Sequence, residues 1–243
     1  GRHRQIEFQR FRSMASELIR LSDYTLEALG NGNDLKNFNL VLSKGDAFSI
    51  VTDSSDDAHH LLRGVAALEL PKSGRFFYRG EQIDYLDYRN LLPYKQKVGY
   101  IASDAIFLAN RSMHDNLMLM RYYFEDSTSV EMCGEAVELC RVFELEKRMG
   151  LKPHQLDPEE HRLFMIVREL SKNPEILLIE KPRDFLATKS YVALKEMLRN
   201  LMKKDLAFMF FSTDQTFTNE FANKRITIDK GKVTIFATDR KES

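Results

Sequence analysis

The chain has 243 residues, 43% hydrophobic and 30% charged, with acidic and basic side chains in equal number. That balance belongs to a folded globular protein and excludes a disordered or fibrous one. Zero net charge gives no overall field toward nucleic acid, and no apolar run reaches the ~18–20 residues that cross a bilayer.

The length suits one large domain, or one domain with a subdomain, and permits a substantial core. Residues 1–13, GRHRQIEFQRFRS, precede Met14. They read as an appended leader or a basic arm and are set aside from the fold; no secretory signal is visible. Short apolar runs predict strands over 38–42, 47–51, 75–78, 97–101, 176–180, 206–212, 225–228 and 233–236. The runs 176–179 and 208–211 are apolar at every position, as strands buried on both faces of a parallel sheet are. Helical periodicity predicts helices over 59–68, 112–123, 129–148, 158–171 and 189–203. Strands alternating with helices predict an α/β fold, and the last two strands, joined around Lys230-Gly231, predict a closing hairpin. The span 88–160 is mostly helical and reads as a helical subdomain inserted into a core of 14–87 and 161–243. There is no repeat and no low-complexity tract.

Cys133 and Cys140 are seven residues apart in a helical pattern, about two turns along one face, too far for a disulfide. They are expected to be reduced, buried thiols of a cytoplasmic protein.

The stretch 51–64, VTDSSDDAHHLLRG, is a strand end, a tight loop and a helix start. That order often cradles a phosphate, yet this loop has no glycine before Gly64, no lysine, and the acids Asp53, Asp56 and Asp57. These acids suit a solvated loop with a helix cap; an acidic docking surface is the other reading. His59 and His60 invite a metal reading, but neighbouring helical positions point in different directions, which favours surface or capping residues. Glu180 beside Lys181 suits a local ion pair, of little worth if exposed.

The order of elements over 18–236 resembles the ATP-binding subunit of ABC transporters. The stretches that carry this are 61–68, resembling the helix after the phosphate loop, and Ser73-Gly74 with Tyr78-Arg-Gly80, resembling the hairpin that follows. Val98-Gly-Tyr-Ile101 resembles the strand before the Q-loop, 173–182 (NPEILLIEKP) the Walker B strand, and Ile228-Asp-Lys-Gly231 the last hairpin. Residues 112–121, with Asp115-Asn116-Leu117 and 121–123, resemble more narrowly the ATPases of lipid-trafficking importers of the mammalian-cell-entry type. The resemblance implies a P-loop NTPase-like ABC ATPase fold: a mixed-sheet α/β core, an inserted helical subdomain and an N-terminal antiparallel β part.

Position by position, the resemblance implies that the nucleotide residues are replaced. Thr52, Ser55 and Asp57 stand for glycines, Ala58 for the phosphate-binding lysine and His59 for the magnesium-binding hydroxyl. Asp53, Asp56 and Asp57 place carboxylates where phosphate charge would sit, each like-charge contact costing about 1 kcal/mol in water and about 4 at an effective dielectric near 20. Leu156-Asp-Pro-Glu-Glu160 stands for the signature Leu-Ser-Gly-Gly-Gln. Asp157 reads as an N-cap, Pro158 as the first helical residue, and Glu159 and Glu160 as first-turn acids, a good helix start and a poor anion site. Glu180 stands for the magnesium-associated aspartate, Lys181 for the water-activating glutamate, Ser103 for the Q-loop glutamine and Thr213 for the switch histidine. The adenine-stacking aromatic aligns near Leu29.

These readings lead to an expectation of a catalytically inactive ABC-like subunit that scaffolds or regulates a membrane-transport assembly. The alternatives are a weak nucleotide binder working with an active partner, and a free-standing interaction module. No catalytic residue and no metal are expected, and ATP with magnesium binds at most weakly. The resemblance implies a permease partner, another ABC subunit or a homodimer, and a cytoplasmic place at the inner face of a membrane. It neither inserts in the membrane nor binds nucleic acid. The Met- and aromatic-rich segment 116–124 suits the groove that receives the permease, with Phe107, Leu117, Met118, Met120, Tyr122 and Tyr123 as candidates.

Overall fold

The structure is a computed structural model that describes residues 16–28, 30–125 and 131–237. The leader, Leu29 and the first residues of the helix expected over 129–148 lie outside them. A four-stranded antiparallel sheet contains β1 (Glu17–Leu26), β2 (Leu35–Ser43), β4 (Ser73–Tyr78) and β5 (Glu81–Gln82), in the order β2-β1-β4-β5. A six-stranded sheet contains β3 (Ala47–Thr52), β6 (Val98–Ile101), β7 (Ile176–Glu180), β8 (Ala207–Phe211), β9 (Lys224–Asp229) and β10 (Lys232–Ala237), in the order β10-β9-β3-β8-β7-β6. Its neighbours are parallel except for the β9–β10 hairpin. Lys230 and Gly231 both have positive φ, 46° and 81°, which lets this two-residue turn match the strand twist.

β7 and β8 are buried at every position, as their unbroken apolar runs predict. Alternate residues serve opposite faces: Ile176, Leu178 and Met209 join the core shared with the antiparallel sheet, whereas Leu177, Phe208 and Phe210 join the core under the helices. β1 is a strand that no sequence pattern revealed. Its inward residues Ile19 and Leu21 are followed by a register shift near Asp23 (φ 50°), and burial resumes at Tyr24 and Leu26. A bulge resets which side chains face inward, so the period-2 signal is lost.

Seven α-helices follow among the described residues: α1 (Ser55–Val65), α2 (Tyr88–Lys97), α3 (Met113–Glu125), α4 (Gly134–Val142), α5 (Pro158–Leu170), α6 (Thr188–Met202) and α7 (Gln215–Phe221). α1 starts four residues before the predicted 59 because Ser54 caps it, and it ends before 68 because Ala67 turns left-handed, φ 53°. Gly64 is needed on α1: a Cβ there would stand 2.4 Å from the Leu26 side chain, so glycine lets the helix press onto β1. The helix expected over 129–148 is corrected to α4 and a separate single turn at Glu146–Arg148; Glu144, at φ 59°, ends the regular helix. α2 and α7 were not predicted as separate helices. The span 88–160, expected as a helical subdomain, also supplies β6 to the large sheet. Cys133 and Cys140 are free thiols, but Cys133 precedes α4 instead of lying within it. Burial pushes the Cys140 thiol up to about 11.

Candidate functional site

Four parallel strands end side by side at one edge of the large sheet, and the loops after them bring the candidate residues together. In open α/β sheets this carboxyl edge is where ligands bind. β3 delivers Thr52 and the two-residue connection Asp53-Ser54 into α1; β6 delivers Ser103; β7 delivers Glu180 and Lys181; β8 delivers Thr213, which is exposed.

The connection into α1 is tightly self-bonded. The Ser54 amide donates to Thr52 Oγ1 (3.1 Å), the Asp57 amide to Ser54 Oγ (3.2 Å) and the Ala58 amide to the Ser54 carbonyl (3.3 Å). The cap is therefore Ser54, a correction to the reading of the aspartates as caps. The amides of Ser55 and Asp56 have no partner among the described residues. Asp57 is a second correction. It is not a solvated acid: it is 1% exposed, and its carboxylate accepts from the Asn33 amide (2.7 Å) and the Asn33 side-chain amide (2.9 Å). Only Asp53 and Asp56 remain as exposed acids on this loop.

Glu180 is the centre of the site. It is 2% exposed, which corrects the reading of a weak surface pair with Lys181. Its Oε1 lies 2.7 Å from His59 Nδ1 and accepts from the Tyr100 hydroxyl; its Oε2 accepts from Ser103 Oγ (2.5 Å) and the Ser103 amide (3.3 Å). Burial pushes the Glu180 carboxyl up, but the bonds from His59, Ser103 and Tyr100 outweigh it and leave the group below its ordinary value. The bond to Glu180 holds His59 above its ordinary value. His59 Nε2 also lies 3.5 Å from Asp104, which in turn lies 3.8 Å from Arg63. His60 is buried, with Nε2 3.0 Å from Glu69 on the far side of α1, so the two histidines do not converge. Among the described residues no cluster of three metal-ligating His, Cys, Asp or Glu side chains is present.

Arg162, buried on α5, ties the strand ends together. It donates to the carbonyls of Ala102 (3.0 Å), Glu180 and Lys181 (3.2 Å), and burial holds its guanidinium below the usual value. Sequence reasoning missed Arg162, Tyr100, Asn33 and Asp104. Tyr100 alone carried a signal, because it lies in the predicted strand 97–101.

The signature stretch forms the helix start the sequence predicts. Asp157 caps α5, accepting from the Glu160 amide (2.8 Å), while Glu160 accepts from the Asp157 amide (3.1 Å). Glu159 accepts from the Ala187 amide (2.9 Å) and Ser190 Oγ (2.7 Å), and Glu160 pairs with Arg148 (2.7 Å). No hydrogen bond or ion pair joins this stretch to the β3–α1 loop among the described residues.

The expected partner groove is divided. Phe107, Leu117 and Met118 are buried, Met120 and Tyr122 half-buried, and Tyr123 exposed. Leu117, Met118 and Met120 line one cavity of about 480 Å³. Phe107 instead packs edge-on to His161 (4.9 Å), and Tyr123 packs edge-on to Tyr88 (5.8 Å); neither lines that cavity, nor does Tyr122.

The dimeric cassette MJ0796, titled a bacterial ABC transporter cassette, superposes with a TM-score of 0.75 at 22% identity, covering 92% of this chain and all of that one. A chain titled the ATP binding subunit of an ABC transporter superposes with a TM-score of 0.77 at 16% identity, over 91% of this chain and 90% of the other. The fold is that of an ABC ATPase. Sequence relatives point the same way. A methionine import ATP-binding protein of Helicobacter acinonychis is 26% identical over 200 residues, 82% of this chain and 61% of the relative. An uncharacterized ABC transporter ATP-binding protein of Methanocaldococcus jannaschii is 26% identical over 82% of this chain and 88% of its own length. An L-cystine import ATP-binding protein of Bacillus subtilis is 23% identical over 85% of both. The chain thus spans about six-tenths of the methionine-import relative. No protein-family model matches it.

These relatives overturn the expectation of a catalytically inactive scaffold, because they are named as ATP-binding proteins, two of them of importers. The lipid-importer likeness finds no support either; the named cargoes are methionine and L-cystine. Part of the physical reason lies in Asp57. Three acids at this loop would oppose phosphate, but Asp57 turns inward and its carboxylate is taken up by the amides of Asn33. Among the described residues no helix is long and apolar enough to cross a membrane.

Proposed function

We propose that this chain is an ATP-binding subunit of a membrane import assembly, taking a small solute of the amino-acid class, docking to a permease and pairing with a second cassette. The observation that carries the reading is the likeness, over 82–85% of the chain, to proteins named as ABC-transporter or import ATP-binding proteins, on a fold that matches a transporter cassette over 92% of the chain. The named roles of the sequence relatives support the import direction.

ATP would meet the chain at the start of α1, where the Ser55 and Asp56 amides and the helix dipole favour an anion. Affinity at this loop is low for three reasons. No lysine stands at 58, a loss of about 1.5–3 kcal/mol for a charged hydrogen bond. Asp53 and Asp56 each oppose phosphate by about 1 kcal/mol when water screens them. The Ser54 cap occupies one donor of the helix start. The positions Thr52, Ser55, Ala58, His59, Ser103, Glu180, Lys181 and Thr213 on this chain correspond to the family's nucleotide site, and Asp157 and Glu159 to the face offered to the other cassette. Cytoplasmic location at the inner face of the membrane follows from this reading.

The test is calorimetry with ATP and magnesium on the purified chain, with and without a candidate second cassette. Heat that strengthens when the second cassette is present supports the reading; no nucleotide binding under either condition refutes it.

A further inference from the structure

We propose that the cavity at the far end of α1, between the last turn of α2, the loop after β6 and the end of α5, is a binding site for a small organic dianion with a short aliphatic body, the class of the aliphatic dicarboxylates. The site lies apart from the start of α1, where ATP would bind, and does not depend on it.

The cavity holds about 470 Å³, within the roughly 300–1,000 Å³ of small-molecule sites. Four cations line it: Arg63 in the last turn of α1, Lys95 in the last turn of α2, Arg168 in the last turn of α5 and Lys172 just beyond it. Much of the remaining wall is apolar, with Ala66, Val98, Ala102, Ala105 and Met120. An apolar wall with a few charged groups is the composition that holds a small organic ligand, methylenes on the wall and polar ends on the charges.

The charges decide the sign and number on the ligand. Only two acids share the lining, Asp104 and Glu169. The buried Glu169 carboxylate is already enclosed: it pairs with Arg168 (2.8 Å) and Lys172 (2.5 Å) and accepts from the Tyr100 amide (3.1 Å). Asp104 is exposed and lies between His59 (3.5 Å) and Arg63 (3.8 Å), and Arg63 has a nearer partner in Glu69 (2.5 Å). Lys95 has no carboxylate partner among the described residues; its ammonium donates to the carbonyls of Ala66 (2.8 Å) and Ala67 (2.7 Å) just past α1. Burial, with the like charges of Lys172 and Arg63 nearby, pulls Lys95 down to about 8. Four cations against two acids leave the lining with two positive charges in excess. A dianion balances them, a monoanion leaves half the excess, and a cation adds to it. Inorganic phosphate would meet the charges but leave the apolar wall uncovered.

The probe is glutarate, titrated by calorimetry into the full chain near neutral pH in a low-salt buffer. Pentanoate, with one carboxylate, inorganic phosphate, with no aliphatic body, and the diamine cadaverine are titrated beside it. Glutarate is expected to bind at least about tenfold tighter than either other anion, and cadaverine not to bind. Lys95→Met keeps the aliphatic stem, removes the charge and is expected to lose about tenfold in glutarate affinity. Lys172→Gln is a second variant in case the first unfolds, with a loss in the same direction. Acetylation by acetic anhydride, followed by peptide mass spectrometry, reads the place of binding in the unaltered chain. Saturating glutarate is expected to slow acetylation of Lys95 about fivefold, because a bound dianion covers the amine and keeps it protonated, while exposed Lys230 is unaffected. Pentanoate or phosphate binding as tightly as glutarate, glutarate affinity indifferent to both variants, or an unprotected Lys95 overturns the proposal. Displacement of glutarate by ATP also overturns it, since the dianion would then sit at the start of α1.

Discussion

Replacing Glu180 with Gln keeps the shape of the side chain and removes its charge. With the amide oxygen turned to the two Ser103 donors, the NH2 takes the place of Oε1, where it can donate to the Tyr100 oxygen but loses the ionic bond to His59 Nδ1 at 2.7 Å. A hydrogen bond to a charged partner is worth about 1.5–3 kcal/mol. For a chain of this size, where 1 kcal/mol moves the melting temperature by about 2–4 °C, that is a fall of about 3–12 °C. The pH profile identifies the partner. Glu180 is held below its ordinary value of 4.5, so its stabilisation is present above that value and is lost as pH falls through the folded pKa. His59 is held above 6.5, so its stabilisation is complete below 6.5 and is lost as pH rises through the folded pKa. The pair thus stabilises most between about 4.5 and 6.5 and fades on the alkaline side, and Glu180→Gln removes this fading. Thermal melts of both proteins from pH 5 to 9 check it. A variant that melts within a degree of the parent, with the same alkaline slope, would refute the buried ion pair.

Ser54→Ala removes the α1 cap and is expected to cost about 1 kcal/mol, read by chemical denaturation. Asp57→Ala removes the buried carboxylate that accepts from both amides of exposed Asn33 and is expected to cost about 1.5–3 kcal/mol with little change in ATP affinity. Asp56→Asn, on the exposed acid, is expected to do the opposite: stability unchanged within about 0.5 kcal/mol, and ATP bound about fivefold tighter by calorimetry. Equal effects of the two aspartate changes on ATP would contradict the separate places given to them. Phe208→Ala, in the ring cluster with Phe210, Phe217 and Phe221, is expected to cost about 3–5 kcal/mol in the same denaturation assay.

What could be read from the sequence was what local patterns encode. The all-apolar runs of β7 and β8, the two-residue hairpin turn at Lys230-Gly231 and the Asp157–Glu160 capping box depend on neighbours a few residues away, and all are present. β1 escaped because its bulge at Asp23 breaks the alternation. The site was harder. The residues that arrive at the sheet edge could be named by resemblance, but not what each one touches. Asp57 finds Asn33 24 residues away, and Glu180 finds Tyr100 80 residues away and His59 121 residues away. No periodicity encodes such pairings, so a buried carboxylate hub read as a surface pair and an inward aspartate read as a phosphate repellent. The same blindness to direction put Phe107, Tyr122 and Tyr123 beside Met120 in one groove, where the structure gives that cavity Leu117, Met118 and Met120.

The most direct measurement is a calorimetric titration of the chain alone with ATP and magnesium. Two open amides at α1, one engaged cap, two exposed acids and no lysine predict a dissociation constant between about 0.1 and 1 mM. Binding in the nanomolar range would contradict the capped, acid-flanked site, and no heat at several millimolar, either alone or with a second cassette, would contradict the role of an ATP-binding subunit.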